Sequence, residues 1–205
     1  TGCGKTTIIN LLMRFYDVDQ GDVLIEGRNV QTFELAELRK HFGVVFQNDV
    51  LFADTIFENI NFGRGLTREE VTTAAEYAQA LPFIENLTKG FDSEVAAMGT
   101  NFSGGQKQRM LISRALAAHP EILILDDSSS ALDYKTDASL RKALREHFTG
   151  TTSIIVAQRI SSIYQCDHVM VLEDGQCVGY GTHEELMENC EIYREIHESQ
   201  MRAEA

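Results

Sequence analysis

Short apolar runs alternate with amphipathic stretches along most of this 205-residue chain, and the alternation predicts its elements. Ile122-Leu123-Ile124-Leu125 follows Pro120 as an unbroken apolar run, the pattern of a strand covered on both faces. Gly43 to Phe46, Ser153 to Ala157 and His168 to Leu172 read the same way, and Val23 to Ile25 predicts a shorter strand. Apolar residues recur at helical spacing from Ile8 to Phe15, Glu34 to His41 and Lys135 to Phe148. The segment from about 53 to 118 changes character: Glu69 to Ala80 reads as a helix, Pro82 interrupts, and Gly104 to Ala118 reads as another. It is expected to be a helical insertion. Thr182 to Met201 predicts two short helices, and the charged tail Arg202 to Ala205 is expected to fray. Strands alternating with helices imply an α/β domain built on a mostly parallel sheet.

Composition narrows the function classes. Apolar residues at 43%, charged residues at 24% and only 2 prolines are globular proportions, and the length suits one domain. A net charge of −13 repels a phosphate backbone, so no nucleic-acid partner is expected. Cys3, Cys166, Cys177 and Cys190 form neither a CxxC pair nor a Cys/His cluster, which indicates no zinc site and no disulfide framework. No stretch approaches the roughly 20 apolar residues needed to cross a bilayer. The six histidines are scattered and read as surface or capping residues, and Glu184-Glu185 with Glu188 reads as a solvated helix face.

Chemistry begins at the first residues. Thr1-Gly2-Cys3-Gly4-Lys5-Thr6-Thr7 is the ending of a phosphate-binding loop, in which glycine-rich backbone N–H groups and a helix N-terminus favour an anion. Lys5 would reach the β and γ phosphates, and Thr6 would place its hydroxyl on Mg²⁺. Cys3 reads as a small spacer in that loop. The strand that normally precedes such a loop is missing, so the chain is expected to be N-terminally truncated. Asp126 closes the Ile122–Leu125 run, where a doubly wound sheet presents ligand-binding residues. Asn101-Phe102-Ser103-Gly104-Gly105-Gln106-Lys107-Gln108-Arg109 then opens a helix with a Ser and two glycines, a second anion-ready terminus. A single nucleotide needs only one.

This constellation resembles the nucleotide-binding domain of ATP-binding cassette (ABC) proteins, whose signature is LSGGQ, with Phe102 in place of the leading Leu. The resemblance covers essentially the whole chain. Its parts run in the family's order: the phosphate loop at Gly2, Cys3, Gly4, Lys5, Thr6 and Thr7, a Q-loop glutamine at Gln47, and the signature Ser103, Gly104, Gly105, Gln106. The Walker B carboxylate Asp126 and the D-loop Ser130-Ala131-Leu132-Asp133 follow. The resemblance implies a P-loop NTPase (RecA-like) fold with a helical subdomain, ATP and Mg²⁺ as cofactors, and Thr6, Gln47 and Asp126 at the metal. It also implies a head-to-tail dimer in which one domain's signature closes over the ATP of the other, so that the second anion cradle has a use.

The exporter branch fits best. Phe52 to Ile60 looks like the LF..TI.ENI segment of exporter-type domains, and Ser93-Glu94-Val95 resembles their TEVGERG loop, although Ala96-Ala97-Met98-Gly99 lacks its usual Glu and Arg. The implied setting is the cytoplasmic face of a membrane, joined to a transmembrane exporter domain. Two departures fall on catalytic positions. Asp127 stands where the family has a Glu that polarises the attacking water, and Gln158, in Ala157-Gln158-Arg159, stands where it has a switch histidine. Aspartate is one methylene short, about 1.5 Å, and glutamine carries no imidazolium charge. Together they resemble the impaired half of heterodimeric exporters, with a hetero-partner as the second domain.

Three alternatives compete with that reading. A module that holds ATP as dimer glue and never hydrolyses it would be told apart by turnover in the assembled complex after each site is disabled separately. A chromosome- or repair-type ABC ATPase needs a long coiled-coil insertion, whereas only 97 residues without sustained heptads separate Lys5 from Ser103. An importer ATPase subunit is disfavoured by the exporter-like segments, and membrane helices preceding this domain in the same reading frame would decide between it and an exporter.

Overall fold

The computed structural model describes residues 2–128 and 130–204; Thr1 and Ala205, at the two ends of the predicted loop and tail, lie outside the described residues. Along the chain the elements are α1 (Lys5–Leu12), β1 (Leu24–Ile25), β2 (Arg28–Asn29), α2 (Leu35–Lys40), β3 (Phe42–Val45), β4 (Asp54–Thr55), α3 (Ile56–Asn61), α4 (Arg68–Tyr77) and α5 (Leu81–Glu85). They continue with β5 (Glu94–Val95), α6 (Gly104–Leu116), β6 (Ile122–Asp126), α7 (Tyr134–His147), β7 (Thr152–Val156), β8 (Val169–Glu173), β9 (Gln176–Gly181), α8 (His183–Asn189) and α9 (Glu191–Glu204). The chain forms two compact units, residues 36–155 and residues 1–35 with 156–205. Among the described residues no helix is long and apolar enough to cross a membrane.

In the 36–155 unit a three-stranded sheet runs in the order β3-β6-β7, with β3 and β6 parallel and Val45 opposite Leu125. The uninterrupted apolar run of β6 follows from its burial, since Leu123 and Ile124 have no exposed surface. Helix α6 lies against β3 at Gly43, where an added Cβ would come within 2.6 Å of the Ala115 carbonyl oxygen, so only glycine permits this approach. One core joins sheet and helices: Val45, Leu123 and Leu125 share it with Ile56 and Ile60 of α3, Val71 of α4, Ile84 of α5 and Met110 and Ile112 of α6. The helices of the 53–118 segment are present, together with a small antiparallel ladder between β4 and β5. Local caps set their starts, since Thr55 caps α3 and Thr67 and Glu70 form a capping box on α4; beyond that segment Asp133 caps α7.

The other unit holds two antiparallel ladders, β1 with β2 and β8 with β9. Their second strands were not expected, because two-residue β2 and the largely exposed β9 carry no apolar signature. Ile160, Val169, Val171, Leu186, Cys190 and Tyr193 form a separate apolar cluster. The predicted pair of short helices is one short helix, α8, and a 14-residue helix, α9, that runs on to Glu204, into the segment expected to fray. Arg194 ties the start of α9 back to α8 by donating to the Met187 and Glu188 carbonyls at 3.0 and 2.7 Å. Glu185, read as part of a solvated face, also closes the capping box of α8 by accepting from the Thr182 N–H at 2.8 Å. Among the described residues no cysteine is in a disulfide. Several histidines have definite partners: His41 pairs with Glu121 at 2.8 Å, and His183 Nδ1 meets the Tyr193 hydroxyl at 2.9 Å.

Candidate functional site

The phosphate-loop residues and Gln158 belong to the unit of residues 1–35 and 156–205; Gln47, Asp126, Asp127 and the signature belong to the other. At the loop, Gly2 and Gly4 take left-handed backbone angles, φ +95° and +100°, which glycine adopts without a Cβ penalty. The first residue of α1 is Lys5, three positions earlier than the apolar pattern predicts, because Gly4 is the N-cap and the polar first turn is helical too. Gly4 supplies no side-chain cap to this helix N-terminus. The loop backbone is held from the turn after β8, where the Gly175 N–H donates to the Cys3 carbonyl at 3.3 Å. Thr6 and Thr7 are exposed.

Lys5 points its ammonium at Cys3, donating to Sγ at 2.9 Å, and this hydrogen bond lowers the thiol's pKa below its ordinary value. Thiolate is the reactive form. In nucleotide-free protein the pH midpoint for alkylation of Cys3, followed by peptide mapping, is therefore expected to rise in Lys5→Met. An unchanged midpoint would contradict the Lys5–Cys3 contact.

In the second unit, Gln47 and Asp126 leave the same end of adjacent parallel strands, β3 and β6. Such strand ends are where α/β sheets bind ligands. Asp126 is 4% exposed and is itself the last residue of β6, and Gln47 is exposed on the loop after β3. Asp127 turns the chain out of the strand with φ +50°, a left-handed angle that aspartate tolerates better than most residues. Its carbonyl accepts from the Ser130 hydroxyl at 2.9 Å, tying it to the start of the D-loop.

The Gln47 loop has an anchor that sequence reasoning missed. Arg114 of α6, 6% exposed, donates to the Val50 and Asn59 carbonyls and the Asn59 Oδ1 at 3.0, 2.8 and 3.0 Å, and lies 3.8 Å from the Asp49 carboxylate. Burial pulls its pKa down, with Asp49 opposing, and its directed N–H groups satisfy carbonyls that would otherwise be buried without partners. The available signal was a lone arginine inside the apolar run Met110 to Leu116. The rings of Phe62 and Phe52 lie 4.7 and 5.3 Å from the guanidinium, and both are about half exposed, at 49% and 51%.

The signature opens α6 as its sequence predicts. Ser103 is the N-cap: its hydroxyl accepts from the Gln106 N–H at 3.3 Å, while Gln106 Oε1 accepts from the Ser103 N–H at 2.9 Å. Around Gly104 an added Cβ would meet nothing within 4 Å, so this side of the helix start is open. At Gly105 an added Cβ would sit 3.1 Å from the Ala131 carbonyl oxygen, so the D-loop backbone packs directly on the signature. Asp133 ends that loop and caps α7, accepting from the Thr136 hydroxyl and N–H at 2.7 and 2.9 Å; these bonds hold its carboxyl below the usual range.

Gln158 lies two residues beyond β7 and is exposed. Its carbonyl accepts from Gln200 Nε2 at 2.7 Å. No feature of the sequence linked these two residues.

The ABC transporter family profile matches residues 1–130. The chain belongs to the ABC transporter family. Among relatives, an ATP-dependent lipid A-core flippase of Hahella chejuensis is 43% identical over 202 residues, which is 98% of this chain and 34% of that protein. A Staphylococcus aureus protein named as a multidrug export ATP-binding/permease protein is 44% identical over 201 residues, 98% of this chain and 35% of its own. Among solved structures, a bacterial Atm1-family ABC exporter with ATP bound superposes with a TM-score of 0.94 at 40% identity, covering 98% of this chain and 36% of that one. The fold is thus that of an ABC nucleotide-binding domain, a P-loop NTPase architecture. This ABC chain spans about a third of the length of the curated relatives it matches.

Proposed function

We propose that this chain is the ATP-binding and ATP-hydrolysing domain of an ABC exporter, working at the cytoplasmic face of a membrane with a transmembrane domain and a second nucleotide-binding domain. Residues 1–205 form the ATPase domain in this reading, with about 53–118 as its helical subdomain. The observation that carries it is the second anion cradle. An uncapped glycine-loop helix at Lys5 and, beside Gly104, an open side to the Ser103-capped start of α6 are two helix N-termini in one chain, which a head-to-tail dimer would use together.

Within each composite site, the backbone N–H groups from Gly2 to Thr7 would hold the phosphates, Lys5 would neutralise the β and γ groups, and the partner's signature would cover the γ end. Thr6, Gln47 and Asp126 offer a hydroxyl, an amide oxygen and a carboxylate, hard oxygen donors suited to Mg²⁺ carried largely by phosphate. That ion, when bound, offsets phosphate charge and leaves the protein to position water and exclude bulk solvent. Asp127 would orient the water and Gln158 would contact the γ-phosphate through a neutral hydrogen bond. The half-exposed Phe52 and Phe62, beside the Arg114-anchored loop, offer an apolar surface on which a transmembrane domain could dock.

The short Asp127 and the missing imidazolium favour a second layer to the reading. This domain's own site holds ATP more than it cleaves it, and its intact signature serves a different, competent partner. The limiting form of that idea is a regulatory module with little hydrolysis anywhere. Lys5→Ala and Asp126→Asn in the full-length transporter are expected to weaken Mg-ATP binding at this protomer's site, measured by equilibrium nucleotide titration. Unchanged affinity in both would remove the site assignment.

A further inference from the structure

We propose that Gln200, on the C-terminal helix α9, is a positioning residue for Gln158. The proposal rests on the reading of Gln158 as a γ-phosphate contact. Gln200 makes two hydrogen bonds to one short piece of backbone: its Nε2 donates to the Gln158 carbonyl at 2.7 Å, and its Oε1 accepts from the Ile160 N–H at 2.9 Å. A backbone carbonyl only accepts and a backbone N–H only donates, so the two partners fix which way the amide faces. The clamp therefore spans both sides of Arg159.

The clamped piece leads into a short turn, in which the Arg159 carbonyl accepts from the Ser162 N–H at 3.1 Å. Residues 157–159 have no regular structure between β7, ending at Val156, and a single 3-10 turn, Ile160–Ser162. On its far side Ile160 is 6% exposed and packs in the apolar cluster that includes Tyr193. Tyr193, 2% exposed, lies seven residues before Gln200, about two helical turns, so both project from nearly one face of α9. Burial of Tyr193 and the ties from Arg194 to α8 thus set the rotation of α9, and Gln200 passes that setting to the Gln158 backbone.

A histidine at position 158 would bring a charge whose attraction to phosphate falls off slowly with distance. The amide of Gln158 brings only a directional hydrogen bond, so its contact depends more on where the backbone points it. Chemistry at position 158 is then under the control of a residue 42 positions away in sequence. The variants Gln200→Ala and Gln200→Glu separate the two halves of the clamp, because glutamate still accepts from the Ile160 N–H but cannot donate to the Gln158 carbonyl.

The test is made on the full-length transporter with the partner's own site disabled. Hydrogen exchange at the Ile160 amide should quicken at least about tenfold in Gln200→Ala and stay slow in Gln200→Glu. At this protomer's site both variants should lose about three- to tenfold in Mg-ATP affinity, the scale of one neutral hydrogen bond, and leave Mg-ADP affinity unchanged, since ADP has no γ-phosphate. General destabilisation would weaken both nucleotides. In a Gln158→Ala background, Gln200→Ala should cause no further loss in Mg-ATP affinity. Unchanged Ile160 exchange in Gln200→Ala overturns the clamp itself. Faster exchange with unchanged preference for ATP over ADP overturns the positioning role, while Gln158→Ala still weakening Mg-ATP would leave the functional reading intact. If Gln158→Ala leaves that preference unchanged, the γ-phosphate role of Gln158 fails and takes the proposal with it.

Discussion

Ser103→Arg in the full-length transporter is expected to lower steady-state ATP turnover by about 10²-fold or more, the scale seen when a preorganised set of donors is removed from a reacting phosphoryl or acyl group. Ser103 caps α6, and beside it Gly104 leaves the helix start open to an approaching group. An arginine there loses the cap and fills the opening that is proposed to close over the partner's ATP. Lys5→Ala removes a charge from this chain's own phosphate loop, which the account assigns a minor share of hydrolysis. Its turnover should fall less. The reverse order, with Lys5→Ala abolishing turnover and Ser103→Arg sparing it, would show that the two sites have been assigned the wrong way round.

The double change Asp127→Glu with Gln158→His is expected to raise hydrolysis at this chain's own site roughly tenfold. A misplacement of about 1 Å can cost on the order of 10²-fold, and positioned proton transfer is typically worth about 10² to 10⁴. The expected gain is set below those figures because Asp127 sits at φ +50°, where glutamate is less at ease than aspartate. Each single change should recover less, since water and phosphate contacts act as a unit. The readout is single-turnover hydrolysis with the partner's site disabled. If the rate stays flat, a full LSGGQ is restored in the partner; a rate that still does not rise rules out Asp127 and Gln158 as the limiting defects.

Legibility in the sequence followed the range of the forces involved. The helix start at Ser103 was readable, because its side chain and the backbone N–H that it caps lie within three residues; Thr67 and Asp133 make caps of the same short range, although the apolar pattern alone put those starts one residue late. The apolar run of β6 was readable because burial on both faces leaves no polar position. What stayed hidden depends on distant partners. The strand β9 is defined by its ladder to β8 and not by apolarity, and α9 keeps its helical course through charged residues that composition alone marks as loose. Among functional candidates, the phosphate loop, the signature and Asp126 announce themselves by residue type and spacing. Arg114 and Gln200 do not, because their partners are mostly backbone carbonyls and N–H groups 40 to 64 positions away, to which sequence patterns are blind.

The central claim is that this domain binds ATP at a site of its own that is slow, while lending its signature to a faster one. It is tested most directly by single-turnover ATP hydrolysis in the assembled full-length transporter, measured twice, with the partner's site disabled and then with this chain's site disabled by Lys5→Ala. The account predicts a rate on this chain's ATP roughly 10²-fold below that on the partner's, as expected for a misplaced base, with Mg-ATP bound in both cases. Equal rates at the two sites, or no Mg-ATP retained at this one, would contradict it.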